Sequence, residues 1–368
     1  MDVIMERVYN FSSGPSVLPL EVLEKIDAEL FNYNGTGMSV MEIDHHTEAF
    51  SEMLSSCENA LRTLMNIPQN YRVLFLQGGA TAQFAAIPEN LLSEHNCADY
   101  IISGQFSKKA YIEAKKYGDI AIAASSAGAS PTFSTIPIVK RSDFRPDADY
   151  VHICYNNTVY GTKFNYIPDT GNIPLVANMS SCILSEPVDV SKFGLIYASA
   201  QKNLGAAGLT VVIVRDDLIG SAKEGTPSVH DYKILSDNKS MYNTPPVWNI
   251  YVAKLVLEWI ISIGGLDEMK RRNERKASLL YDYLDGQVYY TSPVDKKCRY
   301  MMNVIFVTGD AELDKKFAAE AEKEGLMNLK GHRSVGGMRA SIYNSMSYEG
   351  VEKLVAFMKR FAEDNPKI

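Results

Sequence analysis

Lys202 sits in a polar turn, 200–205, between an apolar stretch at 194–198 and a run rich in β-branched residues at 209–214. Both flanks read as buried strands. A lysine drawn into such surroundings loses hydration. That disfavours the ammonium form and leaves a neutral amine able to attack a carbonyl. Taken alone, the residue also reads as a solvated lysine in a hairpin turn, the ordinary fate of lysine. A second candidate is Gly78-Gly79-Ala80-Thr81-Ala82, which follows a strand at 71–76 and opens a helical stretch reaching residue 90. Free N–H groups and the helix dipole at such a turn point at an anion, and glycine lets the backbone approach it. Neither G-x-x-x-x-G-K-[ST] nor G-x-G-x-x-G is present, so the turn is not a nucleotide fingerprint. His332-Arg333, by itself, reads as a solvated loop pair.

These residues need elements to position them. Strands are expected at 71–76, 100–103, 120–124, 150–154, 175–177 and 195–198, with helices at 19–32, 48–65, 79–90 and 105–117 between or before them. Strands alternating with helices indicate an α/β domain with a mostly parallel sheet. Ligands sit beyond the carboxyl ends of such strands. The polar residues there are Gly104-Gln105-Phe106, Tyr155-Asn156-Asn157-Thr158 and Asn178-Met179-Ser180-Ser181. The stretch 35–44 reads as a loop ending in His45-His46, and 221–250 as a polar excursion holding Asn243-Thr244-Pro245-Pro246. A long helix at 247–263 stops at Gly264-Gly265. Beyond it come a helix at 266–284, a strand at 303–307, a helix at 313–324, a strand at 338–343 and a helix at 348–363. That is an α+β pattern, so a large domain is expected at 1–263 and a smaller one at 264–368.

The 368 residues exceed what one core normally supports. A net charge of −7 with no basic block argues against nucleic acid as the main partner. The five cysteines are scattered without C-x-x-C spacing, which excludes a disulfide framework and a structural metal site as expectations. There is no signal-peptide pattern and no apolar run of membrane-spanning length, so a cytoplasmic protein is expected.

The stretches NFSSGP (10–15), QFAAIP (83–88), SSCILSEPVDVSKFG (180–194), AQKNLGAAGLTVVIVRDDLIG (200–220), NTPP (243–246) and KGHRSVGGMRASIYN (330–344) lie in order along nearly the whole chain. In them the sequence resembles the phosphoserine aminotransferase family, among the class V, fold-type I pyridoxal-phosphate transaminases. The resemblance implies a mostly parallel, seven-stranded type of sheet in the large domain, with segment 1–15 packing on the small one. It implies pyridoxal 5'-phosphate as cofactor and Lys202 as its Schiff-base lysine, which also moves a proton between the substrate Cα and the cofactor. Gly79, Ala80, Thr81 and Gln201 are implied at the cofactor phosphate, and Thr158 at its ring hydroxyl. Asn243 and Thr244 would reach that phosphate from the other subunit of a homodimer. Arg339 would bind the substrate carboxylate, a natural partner for its planar fork. His332 and Arg333, from the neighbouring subunit, and His45 and His46 would serve the substrate phosphate. The implied reaction exchanges an amino group between glutamate and 3-phosphohydroxypyruvate, and a related phosphorylated substrate of pyridoxine biosynthesis is also implied.

Several positions depart from the family's pattern. Asn178 stands where an aspartate usually faces the pyridine nitrogen. His46 replaces an arginine, Phe106 replaces a stacking tryptophan, and Thr81 follows the glycine run where an arginine or small residue is usual. A neutral amide lacks the charge that keeps a pyridinium protonated. Two alternatives therefore stay open: a related transaminase with an unphosphorylated substrate, and a catalytically weak cofactor-binding homologue.

Overall fold

Successive residues of the central strands enter two different cores. Val73, Phe75, Ile153, Ala177, Ile196 and Val211 pack on one side, while Leu74, Tyr100, Val176, Tyr197 and Val212 pack on the other. Side chains alternate across a strand, so a sheet covered on both faces needs apolar residues at every position. That is why these strands read as continuous apolar runs. A computed structural model describes residues 7–367 of the chain; residues 1–6, part of the N-terminal segment discussed above, and residue 368 lie outside the described residues.

In chain order, β1 (Tyr9–Asn10) precedes α1 (Leu20–Glu29), α2 (Glu48–Met65), β2 (Tyr71–Leu76) and α3 (Gly79–Leu91). Then come β3 (Cys97–Ile102), α4 (Gln105–Ala114), β4 (Asp119–Ser125), β5 (Tyr150–Cys154), β6 (Asn156–Asn157) and β7 (Thr162–Lys163). β8 (Leu175–Asn178), β9 (Leu195–Ser199), β10 (Thr210–Arg215), α5 (Tyr232–Asp237), α6 (Val247–Ser262) and α7 (Gly265–Asp285) follow. The chain ends with β11 (Asn303–Phe306), α8 (Ala311–Lys323), β12 (Leu326–Met327), β13 (Met338–Ser341) and α9 (Tyr348–Asp364).

Seven strands form one sheet in the order β2-β10-β9-β8-β5-β3-β4. β10 runs antiparallel to both neighbours and the remaining pairs are parallel. Parallel strands put the carboxyl ends of β5, β8 and β9 on one edge, with Asn178 in register with Cys154 and Tyr197. Residues of α2 and α6 cover one face, and residues of α3, α4 and α5 the other. A third core joins α7, α8 and α9 to the antiparallel pair β11–β13, and it takes in Phe11 from the N-terminal segment. β1 pairs in parallel with β12. Between α6 and α7 the chain turns by 84° at Gly264 and Gly265. Their φ values of 110° and 76° suit only glycine without strain. Among the described residues no single helix is long and apolar enough to cross a membrane.

Some boundaries differ from expectation. The first helix stops at Glu29 rather than at residue 32. β3 begins at Cys97, not 100, because Asp99 is buried there against Arg145, whose Nε donates to it at 2.7 Å. The loop 35–44 carries two short 3₁₀ turns, at 33–35 and 40–42. The polar excursion 221–250 contains α5, which is capped by Asp231. The Tyr232 hydroxyl of that helix donates to Gln83 at 2.6 Å.

Candidate active site

Lys202 follows the end of β9 in the connection to β10. Its backbone is pinned from the N-terminal segment: Ser16 N–H donates to the Gln201 carbonyl at 2.9 Å, and the Ser16 hydroxyl donates to the carbonyl of Lys202 itself. The Lys202 Nζ donates to Thr158 Oγ1 and to Ser181 Oγ, each at 2.8 Å. Those two hydroxyls also bond each other. Burial, and then the charge of Arg339, pull the Lys202 amine down from its ordinary value to about 7. No carboxylate lies among those causes, so no ion-pair partner holds the ammonium form.

The amine opens into a cavity of about 270 Å³. The N-terminus of α3 forms one wall, where Gly78 and Gly79 have φ of 88° and 67°. A Cβ on Gly78 would lie 2.5 Å from that of Ala82, so the tight turn requires glycine. The Ala80 N–H, expected to be free, donates to Ser199 Oγ at 2.7 Å. The anion cradle therefore includes the Ser199 hydroxyl as well as the first-turn amides, which have no helical acceptor. Phe106, at the start of α4, brings its ring centroid to 6.0 Å from Lys202 Nζ.

Arg339 enters from β13. Its Nη2 donates to Ser13 Oγ at 2.7 Å, while Tyr343 donates to the Ser13 carbonyl at 3.0 Å. Burial depresses the Arg339 guanidinium somewhat from its usual value. His332 lies on the same cavity. Burial, and then Arg339, Arg333 and Lys109, push its imidazole below the ordinary range. Its Nδ1 is engaged by Ser334, 2.7 Å from Oγ and 3.2 Å from the backbone N, which leaves Nε2 for a ligand.

One cavity thus gathers Gly79, Ala80, Thr81, Phe106, Thr158, Asn178, Gln201, Lys202, His332 and Arg339. His332 lines this chain's own cavity, whereas the resemblance implies that it serves a neighbouring subunit. Arg333 is exposed and outside the lining. His45 and His46 lie against each other beside Asp44, with 4.0 Å between ring centroids and the rings tilted by 40°. Asn243 donates to Gln77 at 3.3 Å, and both it and Thr244 are exposed. None of these four lines this cavity. Asn156 and Ser180 were expected only as polar strand ends, and Ser13 and Ser199 had no expected role. The polar strand ends and the NFSSGP turn were the available signals. A larger groove, of about 590 Å³, lies between the N-terminal segment and α7 and holds none of the constellation.

The donor set asks for an anionic, carbonyl-bearing ligand. No aspartate or glutamate lines the cavity among the described residues. Arg339 Nε and both amide atoms of Asn156 are buried without a hydrogen-bond partner there. Buried polar atoms seldom stay unpaired unless a ligand or water completes them. Pyridoxal phosphate fits: an amine for its aldehyde, hydroxyls beside that amine, and a helix N-terminus for its phosphate.

The model of the class-V aminotransferases matches residues 8–354. A phosphoserine aminotransferase of Bacillus cereus is 54% identical over 361 residues, covering 98% of this chain and 100% of that protein. The solved phosphoserine aminotransferase from Bacillus circulans subsp. alkalophilus superposes with a TM-score of 0.93 at 45% identity, covering 97% of this chain and 99% of that one. The pyridoxal-phosphate-bound enzyme from Trichomonas vaginalis gives 0.90 at 39% identity, covering 96% and 100%. Fold and site together define a pyridoxal-phosphate-dependent aminotransferase of fold type I. Within the class-V aminotransferases, the chain belongs to the phosphoserine aminotransferase family.

Proposed function

We propose that this enzyme transfers the amino group of glutamate to 3-phosphohydroxypyruvate, giving phosphoserine and 2-oxoglutarate. The observation that carries the reading is one cavity in which the Lys202 amine, the Arg339 guanidinium and His332 converge with no carboxylate. The full-length likeness to phosphoserine aminotransferases supports the phosphorylated acceptor over an unphosphorylated one.

When bound, pyridoxal phosphate supplies the electron sink that lets the amino group leave one carbon and join another. The chain's residues do the rest. Gly79, Ala80, Thr81 and Gln201 hold the cofactor phosphate, and Phe106 covers the ring. Thr158 and Ser181 orient the amine. Lys202, whose free amine is available from about pH 7 upward, takes and returns the proton at the substrate Cα. Arg339 holds the substrate carboxylate, and Ser13 keeps its fork in place. His332 offers Nε2–H to the substrate phosphate. We divide the chain into a large domain at 1–263 and a small one at 264–368, and place the enzyme in the cytoplasm.

With glutamate as donor, kcat/KM is expected to favour 3-phosphohydroxypyruvate over hydroxypyruvate by about ten- to a hundredfold. One charge-assisted hydrogen bond to phosphate contributes about that much. Equal values would instead support the unphosphorylated-substrate reading.

The enzyme acts as a homodimer in this proposal. Phe31, Met38 and Met41 are exposed just before His45-His46, and exposed Tyr242 precedes Asn243. Large apolar side chains left at the surface mark protein contacts. His45, His46, Asn243 and Thr244 would then complete the partner's site. Lys202→Ala and Asn243→Asp chains, each inactive as homodimers, should regain one working site when paired as heterodimers. Purified heterodimers with no turnover would refute shared sites.

A further inference from the structure

Asn178 closes the carboxyl end of β8, and its side chain faces the cavity. Its amide orientation is fixed by two donors. Ser180 N–H donates to Asn178 Oδ1 at 3.0 Å, and the Ser180 hydroxyl donates to the same oxygen at 2.7 Å. That hydroxyl also accepts from Ser199 N–H at 3.1 Å. Turning the amide over would set its NH₂ against a backbone N–H that cannot reverse. What Asn178 presents to the cavity is therefore Nδ2, with two hydrogens. One lies toward the Tyr197 hydroxyl. The other is left for a ligand.

The ligand atom it meets follows from the shape of pyridoxal phosphate. The aldehyde carbon, hydroxyl and phosphate arm occupy three adjacent ring positions, and the ring nitrogen lies opposite the aldehyde. Lys202, Thr158 with Ser181, and the α3 turn take the three substituents. The nitrogen is thus directed away from Lys202, toward the strand ends that carry Asn178.

Resting on the cofactor placement proposed above, we infer that Asn178 donates a hydrogen bond to the cofactor's ring nitrogen and holds that nitrogen unprotonated. A protonated ring nitrogen would face N–H with N–H. Nothing else at that wall supplies a negative charge. Cys154, in register with Asn178, is pushed up to about 12 by burial, so its thiol stays neutral. His152, next to Tyr197, is pushed down to about 3 by burial and stays neutral too. Tyr197 is raised by burial and remains a phenol. The ring withdraws electrons less strongly in this state. Asn178→Asp places a carboxylate oxygen where Nδ2 was, while its other oxygen keeps both Ser180 donors. It should restore the pyridinium and raise the glutamate half-reaction by about tenfold, with little change in KM.

The test loads the wild-type enzyme and Asn178→Asp with ¹⁵N-ring-labelled pyridoxal phosphate and records the nitrogen resonance. Covalent attachment is verified beforehand by borohydride trapping and the mass of the Lys202 peptide. A neutral-pyridine resonance in the wild type and a pyridinium resonance in Asn178→Asp are expected. A pyridinium resonance in the wild type overturns the inference and leaves the aminotransferase reading intact. A neutral resonance in both overturns control by residue 178. No trapped adduct at Lys202 overturns the placement and the inference together.

Discussion

Lys202→Ala is expected to leave a folded protein with no borohydride-trappable pyridoxal phosphate and a glutamate half-reaction slowed at least ~10²–10⁴-fold, the usual contribution of a positioned acid–base group. The amine has no substitute. Lys276 is also pulled down to about 7 by burial, yet its Nζ is spent on the carbonyls of Ile342, Tyr343 and Asn344, at 3.4, 2.7 and 3.4 Å. Two lysines with the same shift thus have opposite uses, and their hydrogen-bond partners tell them apart. In the wild type, the rate of attachment should follow the free-amine fraction of Lys202. A lowered value means that the reactive form is present above pH ~7 and is lost as pH falls below it. An exposed lysine would lose it at about 10.4. Trapping rates measured across pH would show the midpoint. A trapped adduct in Lys202→Ala, or a wild-type midpoint near that of exposed lysine, would refute the assignment.

Arg339→Lys should lower kcat/KM for glutamate by ~10²–10³-fold while leaving cofactor attachment intact. The guanidinium offers two parallel donors to a carboxylate, and each charge-assisted bond contributes roughly 1.5–3 kcal/mol. A lysine keeps the charge and loses the fork. Arg339→Ala removes the charge too, and its repulsion is one cause of the lowered Lys202 value. In that variant the attachment midpoint should therefore move to higher pH. A loss smaller than about tenfold in Arg339→Lys would place the substrate carboxylate elsewhere. A midpoint that stays near 7 in Arg339→Ala would leave burial as the whole cause.

The large-scale pattern was legible because it rests on local physics. Glu48–Met65, Tyr71–Leu76 and Tyr150–Cys154 fall at their expected bounds, being strongly periodic or uniformly apolar. β1 and β12 were not legible, because two residues carry no periodicity and their pairing spans the chain. The start of β3 was hidden by Asp99, whose burial depends on Arg145 far along the chain. α5 was hidden in a polar stretch because its apolar side chains are few, with Tyr232 and Leu235 the buried ones. Lys202 could be picked out because a lysine between two buried strands is unusual, whereas Arg339 and Asn178 stood out only through the family resemblance. Ser180 stood only among the polar strand ends, and Ser13 and Ser199 carried no signal of their own. Serine is common in turns, and their roles appear only as distances to Arg339, Asn178 and Ala80.

The N-terminal segment has a consequence for how the enzyme is made. Tyr9 pairs with Leu326, Phe11 joins the last core, Ser13 holds Arg339, and Ser16 holds Lys202. The seven-stranded sheet has all its strands once Arg215 has left the ribosome. Leu326 follows about 110 residues later, which at roughly 5–20 residues per second is a wait of about 5–20 s. Through that interval the first segment has no partner for β1, and the lysine turn exists without its arginine. The nascent chain can form its sheet but not its catalytic centre, so completion of the enzyme is deferred to the end of translation.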